Sequence, residues 1–234
     1  MTRPPSAPLV PDLSRVRLFQ GIAPAELQAI LAAAHPVRKP AAEHFFEQGA
    51  VAGFFHVLTS GRVKMTQITP EGHQVVLRLV GPGDAFGGVA AFGDPVYPAG
   101  AEAIEASASL AWDGASMARL LADHAALAVN ALHFVADRLH DLQNLYRQVI
   151  TERVERRVAR ALLRLARDTG RKIEGGVLID IPLSREDLAE MTGTTIFTVS
   201  RLISAWEEKG LVEGGRQRLV IRRPHGLVAI AEDL

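Results

Sequence analysis

Residues 184–210 read SREDLAEMTGTTIFTVSRLISAWEEKG, and the architecture of the C-terminal third turns on them. Ser184 with Asp187 three residues later is a capping-box pattern, in which two side chains satisfy the free N–H groups of a helix start. Leu188, Ala189 and Met191 give the following helix an apolar face, and Gly193 can take the left-handed turn that ends it. Thr195 is the candidate N-cap of a second helix. Along that helix Val199, Leu202, Ile203 and Trp206 recur at helical spacing, and Gly210 stops it. Two short helices joined by a glycine turn form a helix-turn-helix pattern. Taken alone, the spacing fits a purely packing hairpin equally well, because short motifs match by chance.

The opposite face of the second helix carries Ile196, Phe197, Ser200, Arg201 and Ser204. An arginine presented there can bond O6 and N7 of guanine together in the major groove. The residues that follow tip the balance. Leu211-Val212, a turn at Gly214-Gly215 and the run 218–222 predict a β-hairpin with a basic loop. A hairpin directly after a reading helix supplies flanking phosphate contacts. The segment therefore predicts a winged helix-turn-helix. Arg201 is its candidate for base readout, and Ser184, Thr194, Thr195, Ile196, Phe197, Ser200 and Ser204 line the same surface. Arg216 and Arg218 are the candidates for phosphates.

A chain of 234 residues has room for two domains, and 48% hydrophobic residues argue for a sizeable core and against disorder. No run approaches 18 apolar residues, so no membrane span is predicted. The Pro-rich start lacks a signal-peptide apolar region, which predicts a cytoplasmic protein. Absent cysteine excludes disulfides, thiolate metal sites and cysteine-held iron–sulfur clusters. With 26 basic against 26 acidic residues, nucleic-acid binding would rest on local placement, as at Arg216, Arg218, Arg222 and Arg223.

Residues 1–12 read as a loose tail, and residues 24–34 as a short helix. From residue 37 to 112 the texture is short strands punctuated by glycine, at 44–48, 53–59, 62–69, 74–80 and, as two strands, 99–112. Turns fall between them, including one at Gly93-Asp94-Pro95. This predicts a small antiparallel β-barrel or jelly roll, able to enclose a small ligand. Residues 116–152 contain neither Pro nor Gly. There Leu132, Val135, Leu139, Leu142, Tyr146 and Val149 continue a seam spaced alternately by three and four. A seam so long and narrow predicts a homodimeric coiled coil; the other reading lays the helix along its own barrel. A helix at 152–168, a loop at 170–176 and a strand at 177–181 complete the pass. The fold class is α+β: a β-barrel domain at 1–115, a dimerisation helix at 116–151 and a winged helix-turn-helix domain at 152–234.

This order resembles the Crp/Fnr family of bacterial transcription regulators. The residues that carry the likeness are Phe45-Phe46-Glu47-Gln48-Gly49, the stretch FHVLTSGRVK at 55–64, the turn GPGDAFG at 81–87, and residues 194–201. The resemblance implies a cyclic-nucleotide-binding-like domain, a homodimer on an inverted-repeat operator in double-stranded DNA, contact with RNA polymerase, and activation of transcription. In members that bind cyclic AMP, a glutamate follows the glycine at the place of Gly87 and takes the ribose hydroxyl. An Arg-Ser pair before the small-residue strand takes the cyclic phosphate. Here those places hold Gly88 and Tyr97-Pro98. Without the arginine the phosphate loses a charge-assisted partner, so the implied effector is not cyclic AMP. The candidate pocket comprises Phe86, Gly87, Gly88, Tyr97, Pro98 and Ala99.

Residues 94–103 and 194–201 are similar to the Dnr and NnrR branch, which is associated with nitric oxide sensing, through haem in some members. Nitric oxide via haem is the leading expectation; another small ligand, or an empty barrel closed by Tyr97-Pro98, stands beside it. Haem needs an axial ligand, but spacing singles out none of the eight histidines and nominates no metal site. The family places a glutamate, an acceptor for cytosine, where this chain has Phe197. Phenylalanine instead suits a thymine methyl or a protein surface. No Ser/His/Asp group is identifiable, so an enzyme is not expected. The alternatives are a regulatory module acting on a protein partner and a haem-binding redox protein.

Overall fold

The computed structural model describes residues 16–91, 95–215 and 217–233. The expected tail at 1–12, the turn at Gly93-Asp94 and the side chain of Arg216 lie outside the described residues. Two compact units divide the chain near Leu139 and His140, with residues 68–77 grouped in the second.

In the first unit, α1 (Pro24–Ala32) opens with proline at its first position, where the missing N–H costs nothing. Eight strands follow: β1 (His35–Lys39), β2 (His44–Phe46), β3 (Phe54–Ser60), β4 (Val63–Ile68), β5 (Gln74–Val80), β6 (Ala85–Phe86), β7 (Gly100–Ala103) and β8 (Ser107–Asp113), of which Ile68 and residues 74–77 are grouped with the second unit. They form two four-stranded sheets, ordered β1-β8-β3-β6 and β2-β7-β4-β5. The result is a jelly roll of two facing sheets rather than a closed barrel. Gly61 turns β3 into β4 at φ 80°, and a Cβ there would lie 2.3 Å from Ser107 Oγ, so only glycine fits. Trp112 on β8 is fully buried, donates from Nε1 to Ile30 O at 2.8 Å, and so ties α1 to the sheet.

Two helices occupy 114–151 where one was expected. Asp113 caps α2 (Gly114–Asp123) by accepting from Ser116 N, and α3 (Ala125–Thr151) starts afresh. Between them His124 has extended backbone (φ −121°, ψ 91°). Neither glycine nor proline marks the break; the chain bends because α2 and the first turns of α3 both bury residues in one core. Met117 and Leu127 are fully buried there, and Phe134 packs against the same cluster.

The second unit begins with α4 (Val154–Thr169), whose Val158, Ala161, Leu162 and Leu165 form a buried stripe. It continues through β9 (Gly170–Ile173), β10 (Gly176–Ile179), α5 (Arg185–Thr192), α6 (Ile196–Glu208), β11 (Val212–Gly215), β12 (Arg218–Ile221) and α7 (Pro224–Glu232). The sheet order is β11-β12-β10-β9, all antiparallel. One expectation is corrected. Residues 170–173 are not loop but an edge strand paired with β10, and their side chains are largely exposed, so no apolar alternation announced it. Helix α7 packs against α4 although the sequence reading left that stretch unassigned.

Candidate nucleic-acid interface and effector chamber

The helix-turn-helix is built as its capping residues dictate. Asp187 N donates to Ser184 Oγ at 2.9 Å and Ser184 N donates to Asp187 Oδ2 at 2.9 Å, closing the capping box on α5. Gly193 ends α5 in the left-handed region (φ 60°, ψ 48°), and Thr194 N bonds back to Ala189 O at 3.1 Å. Thr195 then caps α6, its Oγ1 accepting from Thr198 N at 3.2 Å. Val199, Ile203 and Trp206 on α6 are essentially fully buried. Trp206 Nε1 donates to Glu155 of α4 at 3.3 Å, which fixes the back of the helix.

The opposite face is therefore forced outward. Phe197 is 82% exposed, Thr195, Ile196, Arg201 and Ser204 are exposed, and Thr194 and Ser200 are half-buried beside them. Ser184 is half-buried under the capping box, so its hydroxyl is already engaged. No ion pair or hydrogen bond holds the Arg201 side chain among the described residues.

On the wing, Arg218 is exposed at the start of β12. The sequence groups Arg222 with it in a basic cluster, and the structure corrects this. Its guanidinium bonds to the Glu213 carboxylate and to Glu174 O, so its charge is spent on the sheet. Glu213 is held below its ordinary carboxylate range chiefly by that bond. Arg223 is exposed at the start of α7.

Sequence reasoning missed three residues that hold this surface together. Arg185 Nη1 donates to Ser200 O at 3.2 Å, and its Nη2 lies 3.9 Å from Glu207 Oε2. Glu207 Oε1 accepts from Gly214 N of the wing at 2.7 Å. A Cβ on Gly214 would sit 2.6 Å from that same oxygen, so a side chain there would push the Glu207 carboxylate aside. Arg157 of α4 reaches the turn between the helices. No local pattern marks any of the three; each is defined by a partner distant in sequence.

Inside the jelly roll an aromatic nest surrounds His56. Phe86 stacks on its ring (centroids 4.9 Å, 15°), with Phe45 edge-on at 5.5 Å and Phe46 at 5.9 Å. Tyr97 stacks on Phe46 at 3.7 Å and 12°. Its hydroxyl donates to Phe54 O at 2.7 Å and accepts from Phe54 N at 2.8 Å, and burial raises its pKa. His56 Nδ1 lies 3.1 Å from Ser109 Oγ, and burial lowers its pKa to about 4, so the ring is neutral near pH 7. Of the candidate pocket residues, Phe86, Tyr97 and Ala99 are buried. Gly87 passes so close to Phe54 O that a Cβ would lie 2.7 Å away. Gly88 opens a 3-10 turn, and Pro98 is exposed on the outside of the domain.

Comparison with known proteins bears on both domains. Residues 36–124 match the profile of the cyclic nucleotide-binding domain, and residues 156–230 match the Crp-like helix-turn-helix domain. Together the two profiles take in well over half of the chain. The chain belongs to the Crp/Fnr family of transcription regulators. It is similar to the cyclic AMP receptor protein of Thermus thermophilus, at 28% identity over 92% of this chain and 96% of that one. Similarity to a CRP-like cAMP-activated global transcriptional regulator of Mycobacterium tuberculosis is 26%, over 86% of this chain and 89% of that one. A solved CRP-family transcriptional regulator from Thermus thermophilus superposes with a TM-score of 0.73 at 25% identity, covering 84% of this chain and 96% of that one.

As a Crp-like regulator, the chain is a DNA-binding protein that carries a cyclic nucleotide-binding-type domain. Proteins of this kind bind DNA and are dimers. The Crp/Fnr assignment gives the exposed seam of α3 a context. Leu132, Val135, Leu139, Leu142, Tyr146 and Val149 are between 46% and 68% exposed, while Leu127, earlier on the same helix, is fully buried in the first unit's core. No helix among the described residues is long and apolar enough to cross a membrane, and no group of three potential metal ligands occurs among them.

Proposed function

We propose that this Crp/Fnr regulator acts as a homodimer, pairs through the α3 seam, and reads an inverted repeat by placing α6 in the major groove. Arg201 bonds a guanine; Phe197 meets a thymine methyl; Arg218, with Arg216, takes phosphates on the wing. Activation through RNA polymerase and a cytoplasmic setting belong to the same reading and rest on the resemblance. The observation that carries the proposal is α6 itself. One face is locked by Val199, Ile203 and Trp206, the other presents an unpaired arginine and a largely bare phenylalanine, and the wing that follows carries an exposed arginine. A binding-site selection on the purified protein tests it. We expect an inverted repeat with half-site centres roughly 34 Å apart. Recovery of no preferred sequence would overturn the reading.

The effector we propose is a small molecule other than cyclic AMP. Tyr97 stands where cyclic-AMP-binding members carry the phosphate arginine, and it brings a stacked ring and two backbone hydrogen bonds instead of a cation. The likeness of residues 94–103 to the Dnr and NnrR branch points to nitric oxide. Haem does not fit the nest as packed. A porphyrin between the sheets would have to part the Phe46–Tyr97 stack and displace Phe86 from the His56 ring. A visible spectrum of the purified protein, with added haem and then with nitric oxide, tests this. A stoichiometric Soret band that shifts with nitric oxide supports the haem route, and its absence leaves the barrel to another small ligand.

A further inference from the structure

One guanidinium in the second unit joins three stretches of chain that must move together if base readout is to be accurate. Arg157 lies in the first turn of α4. Its Nη1 donates to Glu152 O at 2.9 Å, at the junction between α3 and α4. Its Nε donates to Thr192 O at 3.0 Å and its Nη2 to Gly193 O at 3.3 Å. The last two are the closing carbonyls of α5 and the glycine of the turn, which α5 leaves without internal partners. A cation at a helix C-terminus is favoured by the helix dipole. A planar fork that spans three carbonyls does more: it fixes their mutual geometry.

The junction end is anchored from its side chain as well. The Glu152 carboxylate is only 5% exposed, lies 3.1 Å from Arg160 Nε and 3.7 Å from Arg147 of α3. Arg160 in turn pairs with Glu232 of α7 at 2.9 Å. Gly193 is followed two residues later by Thr195, the cap of α6, and four residues later by Phe197. The Arg157 clasp thus holds the glycine that comes two residues before the α6 cap, and Arg157 itself is half-buried.

We infer that Arg157 is a positioning residue for base readout: it locks the turn of the helix-turn-helix to the end of the dimer helix, so that the reading helices of a dimer keep one fixed register. The inference rests on the DNA-binding reading above. Its loss leaves the phosphate contacts available but lets α6 rock about the turn, and sequence discrimination suffers before general DNA affinity.

The test compares wild type, Arg157→Gln, Arg157→Lys and Val158→Ala on the selected operator and on a scrambled duplex at fixed salt. Val158 is fully buried on α4, so Val158→Ala destabilises the same helix without touching the clasp. We expect Arg157→Gln to lower the ratio of operator to scrambled affinity about tenfold. Arg157→Lys should restore little of it, because a single ammonium cannot span three carbonyls, and Val158→Ala should keep the wild-type ratio. In the free protein, amide exchange at Thr194 and Thr195 should quicken in both Arg157 variants and not in Val158→Ala. A wild-type ratio in Arg157→Gln, or a ratio that falls equally in Val158→Ala, overturns the inference while the DNA-binding reading stands. Wild type without preference for any operator defeats both.

Discussion

Arg201 and Phe197 differ in what the major groove can return to them. A bidentate arginine–guanine pair discriminates by about 1–3 kcal/mol, so Arg201→Ala should weaken the cognate operator by that amount and leave scrambled DNA nearly unchanged. An equal loss on every sequence, read by titration at fixed salt, would make Arg201 a phosphate contact. Phe197→Glu should move preference toward a C·G pair at one position of each half-site, which a repeated selection would reveal. His56 makes a separate prediction about stability. Its folded pKa, lowered by burial from 6.5 to about 4, means the unfolded chain takes up a proton that the nest refuses. This contribution is complete above pH 6.5 and is lost as pH falls toward 4. Between pH 7 and pH 5 it amounts to about 2 kcal/mol. Denaturant titrations at the two pH values should show the drop in wild type and a smaller one in His56→Phe. The sequence disclosed that Arg201 would face outward, because the period of α6 buries its other side. It could not disclose His56, whose character comes from rings on β2, β6 and the loop before β7. Nor could it show that Arg222 is spent on Glu213, since cross-strand register sets that pairing.

The long helix α3 carries the element-scale prediction. Its seam repeats at heptad spacing, and four of its residues, Leu132, Leu139, Leu142 and Tyr146, stay more than half exposed. Leu139→Glu with Leu142→Glu should give a monomer, seen by sedimentation, whose operator affinity collapses because each half-site then binds alone. A double variant that sediments as an intact dimer would show that the pairing lies elsewhere. On the wing, Arg218→Ala should weaken operator and scrambled DNA alike and reduce the salt slope by about one unit for each protomer's lost phosphate contact. Elements with a strong local signal were legible: the caps of α5 and α6, the heptad seam, and the hairpin turns of the jelly roll. Those defined by partners were not. Strand β9 exists because β10 offers it a register, and the break at His124 exists because two helices share one core.

At the scale of the molecule, a cyclic nucleotide-binding-type domain precedes a Crp-like helix-turn-helix domain, and the residues of α3 are divided between the two units at Leu139 and His140. The absence of the phosphate arginine predicts that cyclic AMP at millimolar concentration changes neither the melting temperature nor operator affinity. A ligand that binds only the folded state must raise its stability. A clear thermal shift would return cyclic AMP to the jelly roll despite Tyr97. The order of the domains was legible because each has its own texture, glycine-punctuated strands before the long helix and capped helices after it. Inside the jelly roll Phe86 and Tyr97 stood among the candidate pocket residues, but Phe46 and His56 did not, since these rings meet only once both sheets have formed. The bare seam of α3 has a last consequence, for the cell rather than the fold. Where single chains outnumber pairs, mass action makes the number of pairs follow the square of the chain concentration, so halving the supply removes about three-quarters of them. Expression level then sets a threshold of its own, and genes under this regulator would respond to its dosage even when the effector is constant.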